Sequence, residues 1–340
     1  MKIALVGDIS MGEHYFSFGH GPRTLAEGKN LFESVQPTLR AADLVIGNLE
    51  GPLSDIGYDP SEPESRVFRG SPEAVQQLAS AGFKVLQVAN NHIAQHGAEC
   101  FNDTVERLQS AGIQPIGLRN QEPYIYRNGG VSLAILAASA VLDNTDPDQQ
   151  SYEPFDLEKI RASIRAVKDS VDWVMVCLHW GREERIAPTD QQREWASQLK
   201  QAGANFIVGH HPHIFYEIER DQASLIAWSL GNFVFDLPWD ERLNKTGILQ
   251  LNLDVDRFEA KVVEIGIEPN GTPTLAQKEE SSVNSGVTCL YSHSESFTFS
   301  PVKKLSYFFS NFHQGHSKQK LKFISRKLAG KMAGLGARFR

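Results

Sequence analysis

Short apolar runs that end on polar residues recur along this chain, and they constrain its fold more than any other feature. Candidate strands are Ile3–Val6, Leu44–Ile46, Val85–Val88, Leu133–Ala137, Trp173–Leu178, Phe206–Val208 and Leu225–Leu230. Runs of this length, separated by helical patterns, predict an α/β layered fold. One helix is expected from Ser71-Pro72-Glu73 to Gly82, with Ser71 as N-cap and Pro72 at the first helical position. Others should run from about Ala98 to Gly112 and from Pro188 to Gly203, each stopping at a glycine. Gly247–Val255 and Lys261–Ile267 read as an antiparallel hairpin, so the sheets should be mixed.

With 340 residues, 41% hydrophobic and 22% charged, the chain can bury a large core as an ordinary globular protein. Cys100, Cys177 and Cys289 are too few and too scattered for a disulfide framework or a zinc pair. Cys177, inside Trp173–Leu178, reads as a small buried hydrophobe. The first apolar stretch is too short for a signal peptide, so cytoplasmic residence is the expectation. Charge is unevenly placed. Ten of the 34 Lys/Arg and none of the 41 Asp/Glu follow residue 300, leaving +10 on this tail and −17 on the rest. From Ser317, Leu321, Ile324, Leu328, Met332 and Leu335 recur at helical spacing among lysines and arginines. That pattern fits a basic amphipathic helix able to lie on an anionic surface, including the inner face of a membrane. A solvated tail whose leucines touch the body fits it equally. Residues 271–300, rich in Ser, Thr, Gly and Glu, read as an irregular segment or linker.

Five of the apolar runs carry metal-competent or acid–base groups at their ends. They give Asp8; Asn48 and Glu50; Asn91 and His92; His179; and His210, His211 and His213. In open α/β sheets, sites form at the carboxyl ends of strands. Carboxylate, amide and imidazole without thiolate favour Mn²⁺, Fe²⁺ or Zn²⁺ in a two-metal site. Such ions, about 3.5–4 Å apart, need a bridging carboxylate and lower the pKa of a shared water for in-line attack. Each piece alone has a plainer reading: Asp8 as a turn residue, Glu50-Gly51-Pro52 as turn chemistry, His179 as a satisfied near-core histidine, Asn90-Asn91-His92 as a helix cap. Their coincidence at strand ends favours a metal site. His211-Pro212-His213 is the sharpest piece, because proline fixes the backbone between two imidazoles able to converge on one ion.

The order of Asn48-Leu49-Glu50, Ala89-Asn90-Asn91-His92, His179-Trp180-Gly181-x-Glu183, Gly209-x-His211-Pro212-His213 and Ser229-Leu230-Gly231-Asn232-Phe233 resembles the calcineurin-like metallophosphatase superfamily. Within it, the chain looks like the CapA-type capsule (poly-γ-glutamate) synthesis proteins, over residues 1 to about 240. The resemblance implies a four-layer αββα sandwich of two mixed sheets, with a CapA-type domain over 1–270 followed by the 271–300 segment and the 301–340 tail. It implies Glu50 as bridging carboxylate, Asn91, His179 and His211 on one of two divalent ions, and Asp8 with His213 on the other. His92 would be the general acid. Arg69, Arg182 and Asn232 are candidates for contact with an anionic substrate.

Two departures stand out. The superfamily's Gly-Asp-x-His becomes Gly7-Asp8-Ile9-Ser10, so one ion should bind weakly unless Glu13, His14 or another residue substitutes. An acidic residue commonly three positions after the Asn-His pair is Gln95 here, followed by His96-Gly97. The leading expectation is a metal-dependent phosphoesterase-like hydrolase in capsule or exopolysaccharide production. Its rivals are a non-catalytic, membrane-associated assembly factor binding a polyanion or a capsule synthase, and an amide hydrolase acting on poly-γ-glutamate. No nucleic-acid partner is expected.

Overall fold

The computed structural model describes residues 1–143, 151–289 and 301–337, the side chains of 277–279, 301 and 330–337 excepted. The chain runs β1 (Lys2–Ile9), α1 (Pro22–Ala26), α2 (Gln36–Arg40), β2 (Leu44–Leu49), α3 (Ala74–Ala81), β3 (Phe83–Gln87), α4 (Ala98–Ser110) and β4 (Gln114–Ile116). Next come β5 (Tyr124–Asn128), β6 (Val131–Ser139), α5 (Leu157–Val167), β7 (Trp173–His179), α6 (Asp190–Ala202), β8 (Phe206–His210), β9 (Ile218–Arg220) and β10 (Leu225–Ala227). It ends with β11 (Asn232–Val234), β12 (Lys245–Leu253), β13 (Phe258–Ile267), β14 (Pro273–Ser282), β15 (Gly286–Thr288), α7 (Pro301–Ser310) and α8 (Ser317–Ala337).

One sheet has the order β14-β13-β12-β1-β2-β3-β4, with β11 pairing β1; the other has β15-β9-β10-β8-β7-β6-β5. Both are mixed. The pairs β1/β2, β2/β3, β6/β7 and β7/β8 are parallel, whereas β1/β12 and β5/β6 are antiparallel. Period-two alternation sorts each strand's side chains into layers. Ile3 and Leu5 of β1 enter a core between the sheets with Ile46, Val85, Met175 and Val208. Ala4 and Val6 face the other way, toward Leu78 of α3 and Phe101 and Leu108 of α4. Across the molecule, Val174 and Val176 meet Ile164 of α5 and Leu199 of α6. The result is helix, sheet, sheet, helix: a four-layer αββα sandwich. Cys177 is buried in its middle, where desolvation pushes the thiol up to about 12.

Several expectations shift. Ser71 caps nothing with its side chain; a turn carries the chain to Glu73, and α3 starts at Ala74 and ends at Gly82 with φ 104°. At α6, Thr189 forms a capping box with Gln192, so the helix begins after Pro188. The run through Leu230 is not one strand. Strand β10 ends at Ala227, and the chain then crosses to the first sheet as β11, parallel to β1. Residues 273–282 and 286–288, taken as irregular, form β14 and β15 and widen both sheets; 290–300 lie outside the described residues.

The basic tail folds against the body. Phe308 is buried 5.5 Å from the Phe16 ring centroid, and Phe323 stacks on Tyr15 at 4.8 Å. Lys320 is fully buried, donating to Asn311 O and Gln314 O. Lys322 and Arg326 pair with Glu62 at 2.8 and 2.5 Å. The expected apolar stripe is therefore divided. Ile324 packs inward, Leu321 and Leu328 face solvent, and the side chains of Met332 and Leu335 lie outside those described. Among the described residues no helix is long and apolar enough to cross a membrane.

Candidate metal centre

Polar groups at the carboxyl ends of β1, β2, β3, β7 and β8 meet at one edge of the paired sheets. Close backbone contact makes this possible. A Cβ on Gly7 would sit 2.1 Å from Gly231 O, the carbonyl that accepts from Asp8 N at 2.8 Å. Only glycine lets the crossover into β11 lie directly against β1 at this edge. Beyond β8 the backbone is strained: His211 has φ 95° and His213 φ 61°. Such conformations cost about 1–3 kcal/mol each in a non-glycine residue and recur at functional sites. The fold holds both imidazoles inward against that cost.

Two overlapping donor sets result. Glu50, His179 and His211 form one, and Asp8, Glu50 and His213 the other, with the donor atoms of each set within 4.8 Å of one another. Glu50 belongs to both. Its Oε1 lies 3.7 Å from His179 Nε2 and 3.9 Å from both His213 Nε2 and His92 Nε2. Asn91 Oδ1 stands 2.8 Å from His179 Nε2, adding an amide oxygen to the first set. His211 and His213 therefore divide between the sets rather than converging on one.

Buried hydrogen bonds hold this frame. Asn48 Nδ2 donates to Asp8 Oδ1 at 2.9 Å, and His211 N donates to Asp8 Oδ2 at 3.1 Å. Asn90 Nδ2 donates to Asn48 Oδ1 and Leu49 O. Asn232 Nδ2 donates to Leu243 O, which leaves Asn232 Oδ1 to accept from His213 Nδ1 at 2.9 Å. His213 Nε2 is then the lone-pair nitrogen turned toward Glu50.

The electrostatics are compatible with a divalent cation. Burial, then Asp8 and Glu183, push the Glu50 carboxyl well above its ordinary range. Neither Glu50 oxygen accepts a hydrogen bond from the described residues. Burial alone would raise Asp8 too, but the adjacent imidazoles of His210 and His213 and the Asn48 amide bring it below its usual value. Burial and the neighbouring histidines hold His179 far below the usual imidazole range and His211 at about 4. Neutral imidazoles with available lone pairs beside an unpartnered carboxylate fit a divalent cation. The donor set, without thiolate, is compatible with Mn, Fe or Zn.

The other expected residues divide. His92 joins the cluster: its Nδ1 donates to Gln95 Oε1 at 2.8 Å, and its Nε2 faces Asn91 and Glu50. Gln95 Nε2 donates to Val67 O, so its carbonyl faces His92 and supplies the acceptor that a carboxylate was expected to provide. Asn232, a candidate for substrate contact, is fully buried, with Nδ2 on Leu243 O and Oδ1 on His213 Nδ1. Arg69 is not brought to the centre: its buried guanidinium donates to Ile56 O and lies near the Tyr58 ring. Arg182 is exposed on the loop after β7. His210 is buried, with Nδ1 3.2 Å from Asp8 Oδ1.

Neither candidate substitute for the missing histidine joins a donor set. Glu13 accepts from Gly19 N, Gly21 N, Thr24 and Arg66. His14 sits among Tyr15, Phe16, Phe68 and Trp239. Ser10 Oγ is buried without a hydrogen-bond partner. A carboxylate absent from the expected ligand set, Glu183, groups with His211 and His213. Its place in His179-Trp180-Gly181-x-Glu183 was the available signal.

The bacterial capsule synthesis protein PGA_cap family model matches residues 2–237. The chain belongs to this family. It is similar to the capsule biosynthesis protein CapA of Bacillus anthracis, 32% identical over 267 residues covering 74% of this chain and 64% of that protein. It is also similar to the PGA biosynthesis protein CapA of Bacillus subtilis, 31% identical over 295 residues covering 82% and 74%. The chain thus spans just under two thirds of the first relative's length. Among solved structures, it superposes on a 5′-nucleotidase from Candida albicans with a TM-score of 0.45 and 15% identity, covering 80% of this chain and 52% of that one. The family match ends before β12, so β12–β15 and both tail helices lie beyond it.

Proposed function

We propose that the chain is a metal-dependent hydrolase that cleaves a phosphoester or similarly anionic bond during capsule or poly-γ-glutamate synthesis. The observation that carries this reading is Glu50, a buried carboxylate with no hydrogen-bond partner, shared by two donor sets. Asn91, His179 and His211 with Glu50 would hold one divalent ion, and Asp8 and His213 with Glu50 a second. Bound there, two ions would supply Lewis acidity and an activated water for in-line displacement. The protein's own part is proton handling and orientation. Burial lowers the proton affinity of His92 and Nδ1–H is fixed on Gln95, so any proton it carries toward a leaving group is held at Nε2. Negative charge brought by substrate favours that protonated form. Arg182, exposed on the loop after β7, is the remaining candidate cation for substrate.

The test is hydrolysis of phosphomono- and diesters by protein loaded with Mn²⁺ or Zn²⁺. His92→Ala should retain metal and lose about 10²–10⁴-fold in rate. If wild type does no better than the variant, catalysis by this site is excluded.

A second reading, assembly of a polyanion or capsule synthase at the inner membrane face without turnover, has its own support. The tail carries +10, and Val302, Leu305, Phe309, Leu321 and Leu328 are half of the exposed large apolar residues among those described. Co-sedimentation of the full chain with anionic and neutral vesicles tests it; equal, negligible binding to both would remove that support.

A further inference from the structure

Glu183 lies on the loop after β7, where the proposed chemistry gives it no role. Its carboxylate groups with ring nitrogens of His211 and His213, the three donor atoms lying within 4.8 Å of one another. The placement is built into the backbone. Gly181 has φ 91° and Glu184 φ 56°, and Glu184 N donates to Pro212 O at 2.9 Å. That bond ties the loop to the His211-Pro212-His213 turn. Glu183 is exposed, so it reaches the histidines from the solvent side, while the fully buried Glu50 reaches His211 and His213 from within. The charges that act on Glu183 are those of His213, His211 and His92, with Lys304 a smaller contribution.

A second observation points the same way. His211 is 5% exposed, and its Nδ1 has no hydrogen-bond partner. At the end of β1, Ser10 Oγ is equally without a partner and supplies no imidazole.

We propose that Glu183 is an additional ligand of the metal centre, reaching it from the solvent side beside His211 and His213, in a site where Ser10 supplies no imidazole. The proposal rests on the two-ion reading above. It assigns the centre a carboxylate from a loop in addition to the side chains at the strand ends. A carboxylate there also makes that position harder and more oxygen-rich, favouring Mn²⁺ over softer ions.

The test is calorimetric titration of the chelator-stripped full chain with Mn²⁺, read alongside Mn²⁺ electron paramagnetic resonance. Wild type should take up two ions. Glu183→Gln should keep the tighter one and bind the other at least about tenfold more weakly. Glu184→Gln, which removes the neighbouring charge on the same loop, should change neither affinity by more than about twofold. The metal-free melting temperature of Glu183→Gln should change little, since an exposed side chain contributes little to the fold. Two ions bound equally well by wild type and Glu183→Gln would overturn this inference alone. Equal weakening by Glu184→Gln would reduce the effect to long-range charge and overturn it too. If wild type took up no Mn²⁺, the two-ion reading would fall and this inference with it.

Discussion

His179 Nε2 lies 3.7 Å from Glu50 Oε1, both side chains fully buried, yet no described donor satisfies either Glu50 oxygen. A buried carboxylate in that condition destabilises the protein until a cation reaches it. Glu50→Gln keeps the shape and removes the charge. The metal-free variant should therefore be more stable than metal-free wild type by about 1–3 kcal/mol. Its melting temperature should no longer rise when Mn²⁺ or Zn²⁺ is added. Calorimetry with and without chelator checks both. A metal-free variant that melts below wild type would refute the cation-site account.

Asn232 should act through His213 rather than on substrate. Its amide is clamped between Leu243 O and His213 Nδ1, which fixes the imidazole tautomer. Asn232→Leu removes the clamp and should weaken binding of one ion by about 10–100-fold. The stability cost should be about 1–3 kcal/mol, since Leu243 O loses its donor. Metal titration separates this from a substrate role, which would raise KM and leave metal affinity unchanged.

Gln95 is a positioning residue for His92. With its amide nitrogen on Val67 O and its carbonyl on His92 Nδ1, it orients the ring so that Nε2 faces the centre. Gln95→Leu should lower kcat about tenfold with KM nearly unchanged, the loss expected for one net hydrogen bond to a reacting group. Gln95→Glu, which keeps an acceptor, should recover most of it. Equal losses in both variants would count against an orienting role.

Much of the site could be read from the strand tips because its ligands follow apolar runs whose local composition marks them as buried. Asp8, Glu50, His179 and the histidine turn lie within five residues of such runs. What escaped reading depends on contacts made far along the chain. Strand β11 is three residues long and exists only because Gly7 and Gly231 allow two backbones to touch. Asn232 follows Gly231 and reads as a substrate contact until Leu243 O, eleven residues on, accepts from it. Strand β14 carries Gln277, Lys278 and Glu279, a polar stretch without an apolar alternation to mark it; pairing with β13 makes it a strand. On α8, helical spacing identified the amphipathic pattern but not its docked face. Phe323 and the buried Lys320 face the body, and Leu321 does not.

That orientation of α8 gives a separable test of membrane contact. Leu321 and Leu328 are each 57% exposed and lie seven residues apart, on one side of the helix. Replacing both with Glu should change stability by no more than about 0.5 kcal/mol per site. The same change should sharply reduce co-sedimentation with anionic vesicles. Phe308→Ala should do the reverse for the fold, costing about 3–5 kcal/mol because that ring is buried against Phe16. Unchanged vesicle binding in the double Glu variant would rule out this face as the contact.

Asp236 should make the fold less stable as pH rises. Its carboxylate accepts from His14 N at 2.8 Å and from Ser17 Oγ, but burial dominates and lifts its pKa to about 7 from an ordinary 3.8. The folded chain thus holds this proton more tightly than the unfolded chain. The contribution is complete below about pH 4 and is lost as pH climbs through 7, on the order of a few kcal/mol in all. Asp236→Asn keeps an acceptor for His14 N and removes the titration. Urea unfolding at several pH values between 5 and 8 should show wild type losing stability relative to the Asn variant across that range. Parallel stability curves for the two proteins would mean that Asp236 is ionised throughout, and that its buried charge is balanced by neighbours other than Ser17 and His14.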